Sequence, residues 1–176
     1  ICEAIGNAHV QVMPIKVMHS DLEMLEAYLD ELDAGHEGVI LKPIDGRYTL
    51  GKTDEGWWKF KPEQTYEGSI VGWFKGATGS KRENAWAGFW IMLDNGVATR
   101  VGIGWKDEDR AEYDLMVQTG TIEQMFGKIL ECKAQPPLTK DGKMRFPRAQ
   151  RAGGALKWRS RKDVDPAVCA AYDRWA

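Results

Sequence analysis

An acid, a glycine, three apolar residues and a lysine follow one another in the order Glu37-Gly-Val-Ile-Leu-Lys42. The consecutive apolar residues, two of them β-branched, predict a buried strand with a carboxylate at one end and an ammonium group at the other. Such a carboxylate can bind a divalent metal ion, and such a lysine can neutralise phosphate charge. The alternative is an ordinary buried strand whose two ends are solvated.

A second charged strand is predicted at residues 57–61, where alternation sends Lys59 and Lys61 to the same face. Two neighbouring ammonium groups repel each other unless an anion or solvent lies between them. A bound polyphosphate would supply that anion and would be stabilised by both charges. The alternative is an exposed edge strand that its lysines protect from aggregation.

The two segments are more specific together than apart. EGVILK, then Tyr48-x-x-Gly51-Lys52, then WWKFKP resembles motifs IV and V of the covalent nucleotidyltransferases, and is most similar to the minimal ATP-dependent DNA ligases of bacteriophages and bacteria. HVQVMPIKV upstream, the segment at residues 67–96 and RFPR at residues 145–148 extend the likeness. The chain therefore resembles the C-terminal portion of such an enzyme: the end of a nucleotidyltransferase domain followed by an OB-fold domain.

The resemblance implies roles for the charged residues of both segments. Glu37 would bind or help to place the catalytic Mg²⁺ (or Mn²⁺), Lys59 and Lys61 would contact the α-phosphate of ATP or of the adenylate, and Lys42 would support the same phosphates. These charges would stabilise phosphoryl transfer, in which negative charge spreads over the nonbridging oxygens. In the family reaction an enzyme lysine takes AMP, AMP passes to the 5′-phosphate of a nick in double-stranded DNA, and the 3′-hydroxyl displaces it.

The family's nucleophilic lysine lies in a Lys-x-Asp-Gly motif, which does not occur in this sequence. Lys42-Pro-Ile-Asp45-Gly46 has one residue too many and Lys140-Asp141-Gly142 has one too few, so both are interpreted as turns. The resemblance thus implies a missing N-terminal part of the same enzyme as a partner. The chain alone is not expected to seal nicks.

The family's last motif, a basic pattern close to Arg-x-Asp-Lys, would fall at Trp158-Arg159-Ser160-Arg161-Lys162. Arg159 and Lys162 would then contact the β- and γ-phosphates of ATP. Arg161 stands where the acid is expected, and AQRAGGA at residues 149–155 is interpreted as an insertion after RFPR. A plain basic tail is the alternative.

The elements that must position these residues divide the chain into an α+β part at residues 1–63 and a mainly β part at residues 64–176. In the first part Ser20 predicts a helix N-cap, with Glu23 completing a capping box, and leucines at positions 22, 25, 29 and 32 share one helical face. Gly35 is expected to end this helix. A short strand is predicted at residues 9–13.

The second part predicts a small barrel of the OB type, because short strands alternate with turns and enclose one helix. Asp94-Asn95-Gly96 is a strong hairpin turn, and a helix is predicted at residues 107–117. Trp73, Trp86, Trp90 and Trp105 are expected to be core residues and not stacking platforms for bases. The predicted strands are residues 68–74, 86–93, 97–103, 128–134 and 155–161.

A net charge of −2 gives no global reason to expect nucleic-acid binding, but the charge is unevenly distributed. Residues 140–163 carry nine basic and two acidic side chains. The flexible basic loop from Lys75 to Lys81 and Arg82, together with Arg100, predicts phosphate contacts that do not read bases. Lys52 belongs to the same predicted DNA-binding set. The alternative for the basic loop is that its charges are simply solvated.

The three cysteines lack metal-type spacing and predict free thiols in a reducing compartment, here the cytoplasm of a bacterium or a phage-infected host. No apolar run approaches the roughly 20 residues of a membrane span, so no membrane partner is expected. The protein is also expected to be a monomer. Two other functions stay open: an RNA ligase or capping-type nucleotidyltransferase, and a stand-alone OB-type nucleic-acid-binding module.

Overall fold

The computed structural model of the chain describes residues 13–47, 50 and 56–176. The chain divides into two compact units, Ile1–Lys61 and Pro62–Ala176. The predicted strand at residues 9–13 lies outside the described residues except for Met13, as do Tyr48, Gly51 and Lys52. The sequence places its domain boundary two residues further on, after residue 63, and the assignment of the two parts as domains stays a prediction.

The helix of the first unit, α1, spans Asp21–Asp33 and begins as predicted. The Ser20 hydroxyl accepts a hydrogen bond from the backbone N–H of Glu23 at 3.2 Å, and the Glu23 carboxylate accepts one from the N–H of His19 at 2.9 Å. Gly35 follows the helix with φ +85°. Glycine adopts this conformation without a Cβ clash, so it ends the helix cleanly.

Two short strands, β1 (Val39–Leu41) and β2 (Trp58–Phe60), form the antiparallel sheet of the first unit. In their register Ile40 lies directly opposite Lys59. Gly38, just before β1, has φ +137°, and a Cβ at this position would lie 2.2 Å from the carbonyl oxygen of Phe60. The close approach of the two strands therefore requires glycine at position 38.

The prediction that β1 is a buried strand is wrong. Ile40 is 54% exposed, and none of the described residues in the first unit is buried. One helix and a two-stranded sheet are too few layers to enclose a core. Helix α1 contacts the sheet through Tyr28, whose ring packs edge-on against the ring of Phe60 with 4.5 Å between the centroids.

The second unit is built on an antiparallel sheet of six strands, which are β3 (Gln64–Lys75), β4 (Trp86–Met92), β5 (Ala98–Val101), β6 (Ile129–Gln135), β7 (Arg145–Ala149) and β10 (Trp158–Arg159). Their order in the sheet is β10-β6-β3-β4-β5, with β7 paired to β6. An isolated bridge joins Ile103, just after β5, to Arg148 in β7, so the sheet curls toward a closed barrel. This architecture confirms the predicted OB-type barrel.

The remaining elements of the second unit partly follow the sequence pattern. Helix α2 (Asp107–Gln118) confirms the predicted helix, and Gly96 donates its N–H to the carbonyl of Leu93 at 3.0 Å in the predicted turn. The strand predicted at residues 155–161 is instead two pieces, β9 (Ala155–Leu156) and β10, and β9 forms a hairpin with β8 (Arg151–Ala152). The sequence pattern missed β7, a 3-10 helix and the final helix. The additional elements are β8 (Arg151–Ala152), β9 (Ala155–Leu156), the 3-10 helix Ile122–Met125 and α3 (Pro166–Trp175).

Four aromatic rings fill the centre of the barrel: Trp86, Phe89, Trp105 and Tyr113. Every pair of ring centroids in this cluster is separated by 4.7 to 5.8 Å, mostly edge to face. The cluster joins β4 to α2 and confirms the core positions predicted for two of the four tryptophans. Trp73 packs against this core but is only half-buried. None of the described helices is long and apolar enough to cross a membrane.

The Gly38 contact predicts that Gly38→Ala separates β1 from β2. The new Cβ would clash with a backbone carbonyl, and the positive φ adds strain of about 1–3 kcal/mol. In NMR spectra of the chain, the cross-strand NOE between Ile40 and Lys59 should disappear. Gly35→Ala is the matched control, because its Cβ would meet nothing within 4 Å. A persistent cross-strand NOE in Gly38→Ala would contradict the packing described for this residue.

The thiol of Cys132 is predicted to resist alkylation in the folded chain. Its side chain is fully buried, and burial, followed by the charge of Glu131, raises its pKa to about 12. Iodoacetamide at pH 8 should therefore modify the half-buried Cys169 faster than Cys132, with the difference vanishing in urea. Because the folded pKa is raised, the stability that the neutral thiol contributes is present below pH 9.0 and is lost as the pH rises toward 12. Equal alkylation rates of Cys132 and Cys169 in the folded chain would contradict the burial of Cys132.

Candidate functional site

One face of the β1–β2 sheet gathers the lysines that the sequence singled out. Because Ile40 and Lys59 are cross-strand partners, alternation places Lys42 and Lys61 on the same side of the sheet as this pair. We call this side the lysine face. Lys59 is exposed and has no carboxylate partner among the described residues. The face thus presents three ammonium groups within a few residues of sheet.

Glu37 lies at one end of the lysine face and forms an ion pair with Lys61. The Glu37 Oε2 and Lys61 Nζ atoms are 2.6 Å apart, and their side chains are 55% and 30% exposed. The carboxylate offsets part of the repulsion between Lys61 and Lys59. Sequence reasoning missed this pair, although the β1–β2 register, which brings residue 61 opposite residue 38, would have indicated it.

The ammonium group of Lys42 lies 4.0 Å from the centroid of the Trp57 ring. A cation–π contact of this kind contributes about 0.5–1 kcal/mol at an exposed site. The contact restricts the long lysine side chain while its N–H donors remain available to an incoming anion. Trp57 is therefore a positioning residue for Lys42 that the sequence reasoning did not single out.

The donor set of the first unit suits a metal ion that arrives together with phosphate. No group of three His, Cys, Asp or Glu side chains among the described residues could hold a metal ion by itself. Mg²⁺ commonly uses one or two carboxylates and completes its shell with phosphate oxygens and water. Glu37, an exposed carboxylate paired with Lys61 at one end of the lysine face, fits that mode of binding.

In the second unit, Arg82 connects the basic loop from Lys75 to Arg82 with the barrel. Its Nη2 atom lies 2.5 Å from Oδ2 of Asp114 in α2, and its Nε donates to the carbonyl of Trp86 at 3.0 Å. Asp114 also accepts a hydrogen bond from the N–H of Trp86 at 2.7 Å. Lys81, by contrast, is exposed, with no carboxylate partner in the part of the chain that the structure describes. Lys81 can therefore bind an anion without breaking an ion pair, whereas Arg82 would first have to give up its contact with Asp114.

Arg100 lies against two aromatic rings on the outer face of the sheet. Its guanidinium carbon is 5.2 Å from the Phe74 ring centroid and 4.8 Å from that of Trp90. The core position expected for Trp90 is only partly met, because its half-buried ring supports Arg100 and a small outer cluster. Stacking of this kind orients the guanidinium fork while leaving its edge N–H groups available to a phosphate. Lys75, at the end of β3, is also exposed.

Arg159 is engaged by carboxylates of the barrel, whereas Lys162 is exposed. Arg159 Nε lies 3.0 Å from Glu67 Oε1, and its Nη1 lies 3.4 Å from Glu131 Oε2. Glu131 is 4% exposed and binds Lys157 at 2.6 Å. This buried carboxylate was not singled out from the sequence. Contacts from Arg159 and Lys162 to the phosphates of ATP stay predictions.

Comparisons with known proteins agree on one family. Residues 3–61 match the family model described as "ATP dependent DNA ligase domain". The DNA ligase of Enterobacteria phage T3 is 40% identical over 77 residues, which cover 43% of this chain and 22% of that protein. The DNA ligase of Methanospirillum hungatei is 31% identical over 136 residues, or 76% of this chain and again 22% of the relative. The chain thus spans about a fifth of the length of these relatives.

Solved structures agree on the fold. A structure titled as a structure-function analysis of Lig E DNA ligases aligns with a TM-score of 0.60 at 20% identity, covering 82% of this chain and 48% of that one. A second structure, titled "Pmar-Lig_Pre.", aligns with a TM-score of 0.57 at 25% identity over 72% of this chain and 29% of that one. The first likeness supports the fold alone. From the sequence matches, residues 3–61 match the ATP-dependent DNA ligase domain, and the chain is similar to DNA ligases over as much as 76% of its length.

Proposed function

We propose that this chain is the C-terminal portion of an enzyme that seals nicks in double-stranded DNA, using ATP and Mg²⁺ (or Mn²⁺). The observation that carries the proposal is the lysine face, which presents Lys42, Lys59 and Lys61 and has Glu37 paired with Lys61 at one end. Three positive charges on one accessible face and a single carboxylate at its end suit a polyphosphate with a divalent cation. Residues 1–63 are proposed as the end of the nucleotidyltransferase domain, and residues 64–176 as the OB-fold domain.

In this proposal Lys59 and Lys61 contact the α-phosphate, where negative charge spreads over the nonbridging oxygens during phosphoryl transfer. Lys42, restrained by Trp57, supports the same phosphates. The ion pair with Glu37 holds Lys61 at the edge of the face before substrate arrives, and Glu37 then shares its carboxylate with the metal ion. The divalent metal supplies further charge neutralisation at the phosphates when it is bound. These fixed charges need little reorganisation during the reaction.

The OB-fold domain is proposed to contact DNA through phosphates. Lys75, Lys81 and Arg100 are exposed cations suited to this role, while Arg82 chiefly holds the basic loop on α2 and adds charge nearby. Lys52 remains in the proposed DNA-binding set, and Arg159 and Lys162 in the proposed set for the β- and γ-phosphates of ATP. The nucleophilic lysine is proposed to come from the N-terminal part of the same enzyme, acting as a monomer in the cytoplasm.

In the full-length enzyme, Lys59→Ala should abolish most nick sealing while the fold remains. Removal of one charge aimed at the reacting phosphate typically lowers the rate by about 10²-fold or more. The measurement is single-turnover ligation of a labelled nicked duplex, with circular dichroism to verify folding. Lys16→Ala is the matched control, because Lys16 is an exposed lysine of the same unit outside the lysine face. Near-normal turnover by a folded Lys59→Ala enzyme would refute the proposed role of this face.

The basic loop predicts how DNA binding by the chain depends on salt. Each phosphate neutralised contributes about −0.9 to the slope of log K against log salt concentration. Lys81→Gln should therefore flatten the slope by about 0.9 without altering preference among DNA sequences. Arg82→Gln should change the slope less but lower the melting temperature, because the contact with Asp114 is lost. If a variant that carries both substitutions keeps the parental slope, the loop does not touch the DNA backbone.

A further inference from the structure

The backbone that follows β10 folds into a tight turn around Lys162, which we call the Lys162 turn (residues 159–163). The N–H of Asp163 donates to the carbonyl of Ser160 at 3.0 Å, and the N–H of Lys162 donates to the Ser160 hydroxyl at 3.3 Å. Nη2 of Arg159 donates to the carbonyl of Asp163 at 3.0 Å and so joins the two ends of the turn. Three hydrogen bonds therefore fix the backbone that carries Lys162.

The barrel holds Arg159 at the base of this turn. Its Nε lies 3.0 Å from Oε1 of Glu67 in β3, and its Nη1 lies 3.4 Å from Oε2 of Glu131 in β6. All three nitrogens of the guanidinium group thus have acceptors, and Glu131 is only 4% exposed. Moving Arg159 toward a ligand would leave this buried carboxylate with one partner fewer, which is costly. Arg159 is therefore better placed to hold the turn than to contact a ligand.

Arg161 connects the other side of the turn to the last helix, α3. Its Nη2 donates to both carboxylate oxygens of Asp173, at 2.9 and 2.7 Å. The thiol of Cys169, also in α3, donates to the carbonyl of Arg161 at 3.9 Å. The pattern that the sequence resembles has an acid where Arg161 stands. Position 161 thus lacks the expected carboxylate, but a carboxylate from α3 lies against it.

Helix α3 is packed on the barrel, so Asp173 has a defined place. Val164, which directly follows the turn, and Val168 are 8% and 4% exposed and pack with Ile129 of β6. Further along the helix, Ala171 is buried in a second small cluster with residues of β3 and β4. An exposed ion pair such as that of Asp173 contributes little to stability. Because its helix is anchored, however, the pair can fix the direction of the turn.

Lys162 is the cation that the turn leaves available. Its side chain is exposed and has no carboxylate partner among the described residues. Arg159 and Arg161, in contrast, are both paired with carboxylates. The turn therefore presents a single ammonium group at a fixed position. A cation held in place in this way loses less conformational entropy on binding an anion than a cation on a mobile segment.

We propose that Asp173 is a positioning residue for the reaction with ATP: through Arg161 it fixes the Lys162 turn on α3, so that Lys162 meets the β- and γ-phosphates. The carboxylate of α3 takes the place of the acid that is absent from position 161. Arg159 holds the same turn from the side of the barrel, which narrows the predicted phosphate contacts of this segment to Lys162. This inference rests on the proposed function, in which Lys162 contacts those phosphates.

The test measures the formation of enzyme–AMP from labelled ATP and Mg²⁺ by the full-length enzyme, in single turnovers at increasing ATP concentrations. Lys162→Gln should raise the ATP concentration that gives half the maximal rate by about tenfold, because one charge-assisted contact is lost. Asp173→Asn should raise it by about threefold or more with little change in the maximal rate, because Asp173 touches no reacting atom. Lys140→Gln and Asp141→Asn are the matched controls, since both residues are exposed and lie outside the turn.

Two combined variants distinguish positioning from a general loss of structure. If Asp173 acts through Lys162, the double variant Asp173→Asn with Lys162→Gln should need no more ATP than Lys162→Gln alone. Exchanging the charges of the pair, by Arg161→Asp together with Asp173→Arg, should restore the ATP dependence to within about twofold of the parent. Each of these two substitutions alone should impair it. Circular dichroism melting verifies that every variant is folded.

Three results would overturn the inference alone. They are an Asp173→Asn enzyme with the parental ATP dependence, additive effects of the Asp173 and Lys162 variants, and no recovery when the charges of the pair are exchanged in a folded enzyme. Parental ATP dependence of Lys162→Gln would also overturn it, while nick sealing with ATP would stand. A parental enzyme that takes no label from ATP would contradict the proposed function, and this inference with it.

Discussion

The antiparallel register between β1 and β2 is the constraint on which the candidate phosphate site depends. Because Ile40 lies opposite Lys59, alternation gathers three lysines on one side, and the same register brings Lys61 within 2.6 Å of Glu37. A slip of one residue would send Lys59 and Lys61 to the opposite side of the sheet. Glycine at position 38 is required for this register, because a Cβ there would clash with the carbonyl oxygen of Phe60. The glycine between the acid and the apolar run is therefore as important to the site as the charges themselves.

Local patterns in the sequence predicted most of the elements, but not what covers them. The Ser20 cap, the Gly35 stop and the turn at Gly96 depend on neighbouring residues, and they formed as expected. The prediction that Val39 to Leu41 are buried was wrong. An apolar run indicates that a strand can be buried, but it does not show whether other elements are present to cover the strand. Paired charges were equally hard to foresee. Arg82 and Asp114 are 32 residues apart in the sequence, and only the folded barrel brings them together.

Internal partners distinguish cations that build the barrel from cations that can bind a ligand. Arg82, Arg159 and Arg161 are each paired with carboxylates, so a ligand must compete with an existing ion pair for their charge. Lys81, Arg100 and Lys128 lack such partners among the described residues, and binding an anion at these positions breaks no ion pair. Sequence alone treats all six as equivalent positive charges. Within residues 140–163, five of the nine cations are also paired with carboxylates, so the net charge of this segment overstates the charge that it can offer a ligand. These five are Arg148, Arg151, Lys157, Arg159 and Arg161.

The hairpin of β8 and β9 has a consequence for how such a protein can diversify. Its two strands pair with each other and not with the six-stranded sheet, while backbone bonds at its base anchor it to β6. Residues at its tip can therefore lengthen, shorten or change chemistry without shifting any register in the barrel. The surface around the hairpin can therefore evolve separately from the barrel that supports it. A barrel of fixed architecture could in this way acquire new ligand preferences through changes in a segment of only a few residues.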